Sequence, residues 1–234
     1  MNAAAAPPRL TDAFTRAFDL VFASAALLAL SPAFCVLVPV LRLTGEGDVF
    51  FRQKRIGRGG RPFQLIKFAT MLRDAPSTGA GEITLPDDPR VLPVGRVLRK
   101  AKLNELPQLI NVIAGDLSLI GPRPQTPSWF AAFRPDQQAC IASVRPGLSG
   151  AASVIFRDEE AMLDSQPDPV AFDREVIVPY KGEIECWFVA NRSLGLYFRL
   201  IVLTALAVLF PRRNFHRQLT AVVPSPPELL APLL

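Results

Sequence analysis

The sequence predicts a helix-rich α/β domain with one small β-hairpin, preceded by a membrane helix. Three observations carry this expectation. Leu20 to Leu41 is an uncharged run of 22 residues, long enough to cross a bilayer. Val49 to Ile56 and Pro62 to Phe68 are rich in β-branched and aromatic residues and flank the break Gly57-Arg58-Gly59-Gly60. Beyond them, Leu106, Leu109, Ile110 and Ile113 recur at helical spacing.

The apolar run comes first. At 1.5 Å per residue a straight helix of this length would measure roughly 33 Å. Pro32 of Ser31-Pro32, near the middle, removes a backbone N–H and presses on the preceding turn, so the carbonyl around Leu28 needs another partner and a bend is expected. Arg9 and Arg16 precede the run, and Arg42, Arg52, Lys54 and Arg55 follow it, so neither flank has the character of a translocated loop. A re-entrant helix that enters and leaves on the cytoplasmic face satisfies both observations, and a plain single span satisfies the length. An uncleaved signal peptide fits less well, because no small-residue cleavage site leads into a cysteine-paired secreted domain.

The hairpin follows, inside a basic stretch with seven positive charges between Arg52 and Arg73 and no acid until Asp74. Such a stretch is commonly a solvated or headgroup-facing surface. The interleaved Phe50, Phe51, Phe63 and Phe68 also fit nucleic acid. The adjacent membrane segment favours lipid or a phosphorylated ligand, and no recognition-helix pattern accompanies the charges, so no nucleic-acid partner is expected. Ala75 to Pro89 reads as a loop, and Val94 to Lys102 as a basic helix.

In the next helix Asn104 is the expected N-cap, Pro107 is tolerated in the first turn and Gly115 is the stop. Glu105 thereby falls on the first turn, where the helix dipole favours an ionised carboxylate, suited to metal ligation or nucleophilic attack. Gly121-Pro122-Arg123-Pro124 and Arg145-Pro146-Gly147 mark turns, and Phe156 to Glu160 ends acidic. Leu200 to Phe210, an apolar stretch of 11 residues between Arg199 and Pro211-Arg212-Arg213, is too short to cross a bilayer. It suits a helix lying in the membrane interface, with Trp187, Tyr197 and Phe198 at headgroup depth, or an ordinary buried helix. The proline-rich tail from Pro224 is expected to be loosely ordered.

Composition narrows the chemistry. With 234 residues the chain buries a core without disulfides or a structural metal, and its net charge of +5 favours an anionic partner. Cys35, Cys140 and Cys186 are odd in number and widely spaced, which argues against a disulfide framework or zinc site and for a reducing compartment. His216 is the only histidine and lies in the tail, so Ser-His, Cys-His and multi-histidine metal schemes are excluded. Catalysis is left to carboxylates, Lys, Arg or a carboxylate-bound metal.

From about Asp19 to about Phe210 the chain resembles the bacterial sugar transferases, monotopic phosphoglycosyl transferases of the undecaprenyl-phosphate sugar phosphotransferase type. The resemblance is carried jointly by Ser31-Pro32, Val49-Phe50-Phe51-Arg52-Gln53 with Ile56-Gly57, Lys67-Phe68, Val94-Gly95-Arg96, Glu105-Leu106-Pro107-Gln108-Leu109, Gly121-Pro122-Arg123-Pro124 and Arg145-Pro146-Gly147. It implies a re-entrant membrane helix broken at Ser31-Pro32 and interfacial amphipathic helices on the helix-rich α/β domain. The expected divisions are 1–16 as flank, 17–43 as membrane helix, 44–210 as catalytic domain and 211–234 as tail.

The resemblance also implies a two-step reaction at the cytoplasmic face of the bacterial inner membrane. A carboxylate attacks the β-phosphate of a UDP-sugar and releases UMP, and polyprenol (undecaprenyl) phosphate then takes the phosphosugar. Mg2+ assists, with Glu105 and Asp88 as its expected protein ligands, in keeping with its preference for few carboxylates plus phosphate oxygens. Matched position by position, Glu105 is the glutamate of the family's Asp-Glu dyad, Gln108 its glutamine, Arg99 the arginine five positions before the dyad, Lys67 the lysine of Lys-Phe-Arg, and Arg123 the arginine of the nucleotide-side turn formed with Pro122 and Pro124. Arg96 joins the substrate-binding set. A second copy of the chain is the expected protein partner, as a homodimer.

Two positions depart from the family pattern. Asn104 stands where the dyad begins with Asp, usually assigned as nucleophile, and a neutral amide cannot form an acyl phosphate. Ala69 replaces the arginine after Lys-Phe. The expectation is therefore an active transferase with Glu105 as nucleophile, or with Glu105 as magnesium ligand while the lipid phosphate attacks directly. A catalytically silent membrane scaffold that binds a nucleotide sugar or a partner enzyme is the alternative.

Overall fold

The computed structural model describes residues 10–78, 84, 87–210, 213, 215 and 217–234. Arg9, Pro211, Arg212, His216 and part of the expected loop at 75–89 lie outside them.

Helix α1 spans Leu10–Leu43 as one element that contains Pro32 and Pro39. The carbonyl of Leu28, deprived of its partner by Pro32, accepts the Ser31 hydroxyl at 2.7 Å. The serine thus repairs the defect its neighbour creates. α1 is the one described helix long and apolar enough to cross a membrane. Both of its halves touch the globular domain. Asp19 and Ala23 are buried near one end, and Leu41 near the other packs with Phe68 and Leu98.

Strands β1 (Phe50–Ile56) and β2 (Pro62–Phe68) form the antiparallel hairpin, in register Phe51 to Lys67. Its turn holds Gly59 at φ 70° and Gly60 at φ 73°, a left-handed backbone that glycine adopts without strain. Helix α2 (Pro93–Lys100) ends where Lys102 turns left-handed at φ 56°, and a 3-10 turn, Leu103–Glu105, follows.

Helix α3 (Gln108–Ala114) starts later than the sequence predicts. Asn104 is not its N-cap: the amide lies in the preceding 3-10 turn, buried, with Oδ1 accepting no hydrogen bond among the described residues. Pro107 fixes the helical start instead, since it has no N–H to leave unsatisfied. Gly115, left-handed at φ 95°, is the stop expected of it.

The segment that carries Gly121-Pro122-Arg123-Pro124 is held by a parallel pair the sequence does not advertise. β3 (Ser118–Ile120) pairs with β4 (Gly147–Ser149), each three residues long. Packing there is backbone against backbone: a Cβ on Gly147 would stand 2.1 Å from the Gly121 nitrogen, so only glycine fits.

The rest is helical: α4 (Pro127–Phe130), α5 (Pro135–Ala142), α6 (Ala151–Ile155), α7 (Glu159–Asp164), α8 (Pro169–Phe172), α9 (Val178–Ala190), α10 (Leu194–Leu209) and α11 (Arg217–Thr220). Leu200 and Leu203 of α10 join Val112, Ile155 and Ile184 in the main core, while Val202, Val208 and Leu209 leave an apolar face exposed. Tyr197 is not at a surface belt; it is buried and donates its hydroxyl to Asp19 at 2.6 Å. The tail is likewise ordered against the core. Leu219 and Leu230 are fully buried, and the Tyr180 hydroxyl donates to the Pro224 carbonyl at 2.8 Å. Its leucines recover apolar burial worth about 1.5–3 kcal/mol each, which outweighs the proline-rich composition.

Candidate active site

Three elements deliver one carboxylate to two cations. Glu105 ends the 3-10 turn before α3, Lys67 lies near the end of β2, and Arg123 follows β3. Glu105 Oε1 lies 3.0 Å from Arg123 Nη2 and 3.5 Å from Lys67 Nζ. Its Oε2 accepts no hydrogen bond among the described residues. The side chain is 21% exposed, enough for a ligand to reach.

The positions are fixed by backbone contacts. Asn111 of α3 accepts the Ile66 N–H at 3.0 Å and donates to the Gln64 carbonyl at 2.8 Å, pinning β2, and with it Lys67, beside α3. Arg123 is held by its own N–H, donated to Glu185 Oε1 at 3.1 Å. Pro122 and Pro124 are buried and serve through their carbonyls, which accept the Gly147 N–H at 2.8 Å and Arg55 Nη1 at 3.1 Å.

Electrostatics follow from this packing. Burial alone would raise the Glu105 pKa, but the charges of Arg123 and Lys67 and the Arg123 hydrogen bond outweigh it and hold the carboxyl well below the usual range. Lys67 is pushed down to about 8, first by burial and then by Arg123, Arg55 and Arg99, against the pull of Glu105. Glu185, buried on α9 with Oε2 unpartnered, is pushed up to about 7 by burial.

Of the other expected site residues, Arg99 donates to Glu160 at 3.0 Å and contributes to the field at Lys67. Gln108 is buried beside the turn with Nε2 unpartnered. Arg96 is exposed on α2, without a side-chain partner among the described residues. Asp88 is committed elsewhere: both its oxygens accept from Arg90, at 2.6 to 3.1 Å. Asp116 accepts from Asn111 at 3.1 Å, at the far end of α3.

Sequence reasoning missed Asn111, Glu185 and Arg55. The available signals were a polar residue on the apolar face of α3 and a lone acid between Ile184 and Cys186. What the assembled residues can do is bind a diphosphate. Its oxygens can share the guanidinium and ammonium that Glu105 now engages, which brings phosphorus to a carboxylate that stays ionised.

A family model described as Bacterial sugar transferase matches residues 10–211. An uncharacterized sugar transferase, EpsL, of Bacillus subtilis is 36% identical over 194 residues, 83% of this chain and 86% of that protein. The exopolysaccharide production protein ExoY of Rhizobium meliloti is 35% identical over 176 residues, 69% of this chain and 76% of its own length. A UDP-glucose:undecaprenyl-phosphate glucose-1-phosphate transferase of Escherichia coli is 36% identical over 179 residues, 74% of this chain but 37% of that longer protein.

Proposed function

This chain belongs to the bacterial sugar transferase family and is a phosphoglycosyl transferase, and we propose that it moves a sugar 1-phosphate from a UDP-sugar to undecaprenyl phosphate, releasing UMP, as the initiating step of extracellular polysaccharide assembly. The observation that carries the reading is Glu105, ionised and partly exposed between Lys67 and Arg123.

In the covalent course a Glu105 oxygen attacks the β-phosphorus of the donor. The bond from that phosphorus to the bridging oxygen breaks, and UMP leaves with the electron pair. An oxygen of the lipid phosphate then attacks the same phosphorus and restores the carboxylate. Lys67, Arg99 and Arg123 neutralise the charge that moves onto the phosphate oxygens. Asn104 takes no part in bond making, because its amide is neutral.

Among the described residues no cluster of three or more His, Cys, Asp or Glu could hold a metal. Magnesium needs less, since phosphates and waters complete its octahedron. Glu105 Oε2 and the orphaned Asn104 Oδ1 are suitable oxygens; Asp88, bound to Arg90, is not. When bound, the ion supplies neutralisation of phosphate charge.

Membrane association follows from α1 and the family. The finer reading, a re-entrant α1 with the domain on the cytoplasmic face of the inner membrane, is supported by both ends of α1 meeting the domain. Arg16 donates to α3 carbonyls, and Leu41 packs on Phe68. The test is UMP release from a panel of UDP-sugars, with undecaprenyl phosphate and magnesium present. Release with one donor identifies the sugar; no release with any donor overturns the proposal.

A further inference from the structure

A second group of arginines sits at the far end of α3, away from Glu105. Arg16 donates to the Val112 and Ile113 carbonyls at 2.7 and 3.1 Å, and Arg145 Nε donates to the Gly115 carbonyl at 2.8 Å. Beside them is a cavity of about 80 Å³ lined in part by Thr11, Asp12, Arg58, Arg145, Arg192 and Ser193. A single water needs roughly 10–15 Å³ on this measure, so the space admits a polyatomic ligand.

The lining carries more positive charge than it neutralises. Arg192 pairs with Asp12 at 3.2 Å. Arg145 spends only Nε, leaving its two terminal nitrogens without a protein partner among the described residues, and Arg58 has no side-chain partner there at all. The Thr11 hydroxyl oxygen is buried with no hydrogen bond among the described residues. Arg145 is held below its ordinary pKa by burial and then by the neighbouring charges of Arg16 and Arg58. Like charges gathered around a polar cavity cost free energy that an anion recovers.

Location narrows the anion. Asp12 precedes Leu20, where the apolar run begins, by eight residues, or about 12 Å of helix. We propose that this cavity is a second anion site, separate from the Glu105 centre, that takes a phosphate group: the headgroup of an anionic membrane lipid or a free phosphate. Arg58 and Arg145 supply the charge-assisted hydrogen bonds.

The test is the thermal midpoint of the full chain. One arm titrates inorganic phosphate into detergent-solubilised protein at constant ionic strength; the other compares nanodiscs of phosphatidylcholine with and without phosphatidylglycerol. Wild type and Lys67→Met are expected to rise in midpoint in at least one arm, and Arg58→Gln to lose most of that rise. A response to phosphate identifies a free anion, and one confined to phosphatidylglycerol identifies a lipid headgroup; both support the site. No rise in either arm overturns it, as does a rise that Lys67→Met abolishes and Arg58→Gln leaves intact, since that anion would be in the active site.

Discussion

The two ends of α3 gather the same residue type for opposite purposes. At the N-terminal end Arg123 and Lys67 converge on a carboxylate, and the outcome is a strongly ionised Glu105 with a free oxygen. At the C-terminal end Arg16 and Arg145 converge on backbone carbonyls. The carbonyl end of a helix has acceptors to satisfy, so cations there are structural first. Cations beside a reachable carboxylate are instead placed for exchange with a ligand. The difference predicts that variants at one end alter turnover and variants at the other alter stability.

Glu105→Gln draws the contrast most sharply. Turnover is expected to fall below detection with only a moderate drop in thermal midpoint, because the exchange keeps the side-chain volume but leaves Lys67 and Arg123 without their counter-charge. Radiolabelled phosphosugar retained on denatured wild-type protein, and absent from Glu105→Gln, establishes the covalent course. Full activity in the variant would move the chemistry to another carboxylate.

Lys67→Met is expected to lower kcat/KM by roughly 10²–10³-fold, the scale for removing one preorganised charge-stabilising group. The pH profile carries the same information without a mutation. Lys67 is charged below its folded pKa of about 8 and neutral above it, so activity falls as pH rises through that value. Lys67→Arg keeps the charge to far higher pH and removes that limb, whatever it costs in geometry. Persistence of the limb in Lys67→Arg would assign it to another group.

How much of this contrast the sequence disclosed depends on distance along the chain. The hairpin was legible because its two strands and glycine turn are contiguous, and Pro32 was legible because a proline's effect on its own helix is local. Glu105 was legible as a carboxylate at a helix start, but Lys67 and Arg123 were joined to it only through resemblance, since nothing in their spacing shows that a strand, a turn and a loop converge. The β3–β4 pair was hidden because strands of three residues, with 26 residues between them, leave no periodicity. Asn104 was misread as a cap because Asn suits both an N-cap and a buried turn, and only Lys102 and Pro107 decide between them. The ordered tail was misread because composition does not register where Leu219 and Leu230 land.

At the other end of α3, Arg16→Met is expected to cost about 1–3 kcal/mol of stability by leaving the Val112 and Ile113 carbonyls without a charged donor. kcat/KM should stay within a few-fold of wild type once the folded fraction is accounted for. Chemical denaturation of the solubilised protein measures the first and UMP release the second. A loss of turnover with intact stability would break the division between the two ends.

The smallest effect is expected at Asn104, and it probes the active end most finely. Asn104→Asp adds a carboxylate directly before Glu105, in a buried position whose amide oxygen has no partner among the described residues. If Glu105 carries the bond-making step, the new acid only offsets the surplus positive charge of Lys67 and Arg123, and turnover should change by less than about tenfold, or 1.4 kcal/mol. The double variant Asn104→Asp with Glu105→Gln is then inactive. Activity recovered in the double variant, with phosphosugar attached at position 104, would mean that the cations serve whichever carboxylate the turn presents. Glu105 would then be nucleophile by substitution rather than by unique geometry, and the cationic frame of Lys67 and Arg123 would be the part of this end that defines the enzyme.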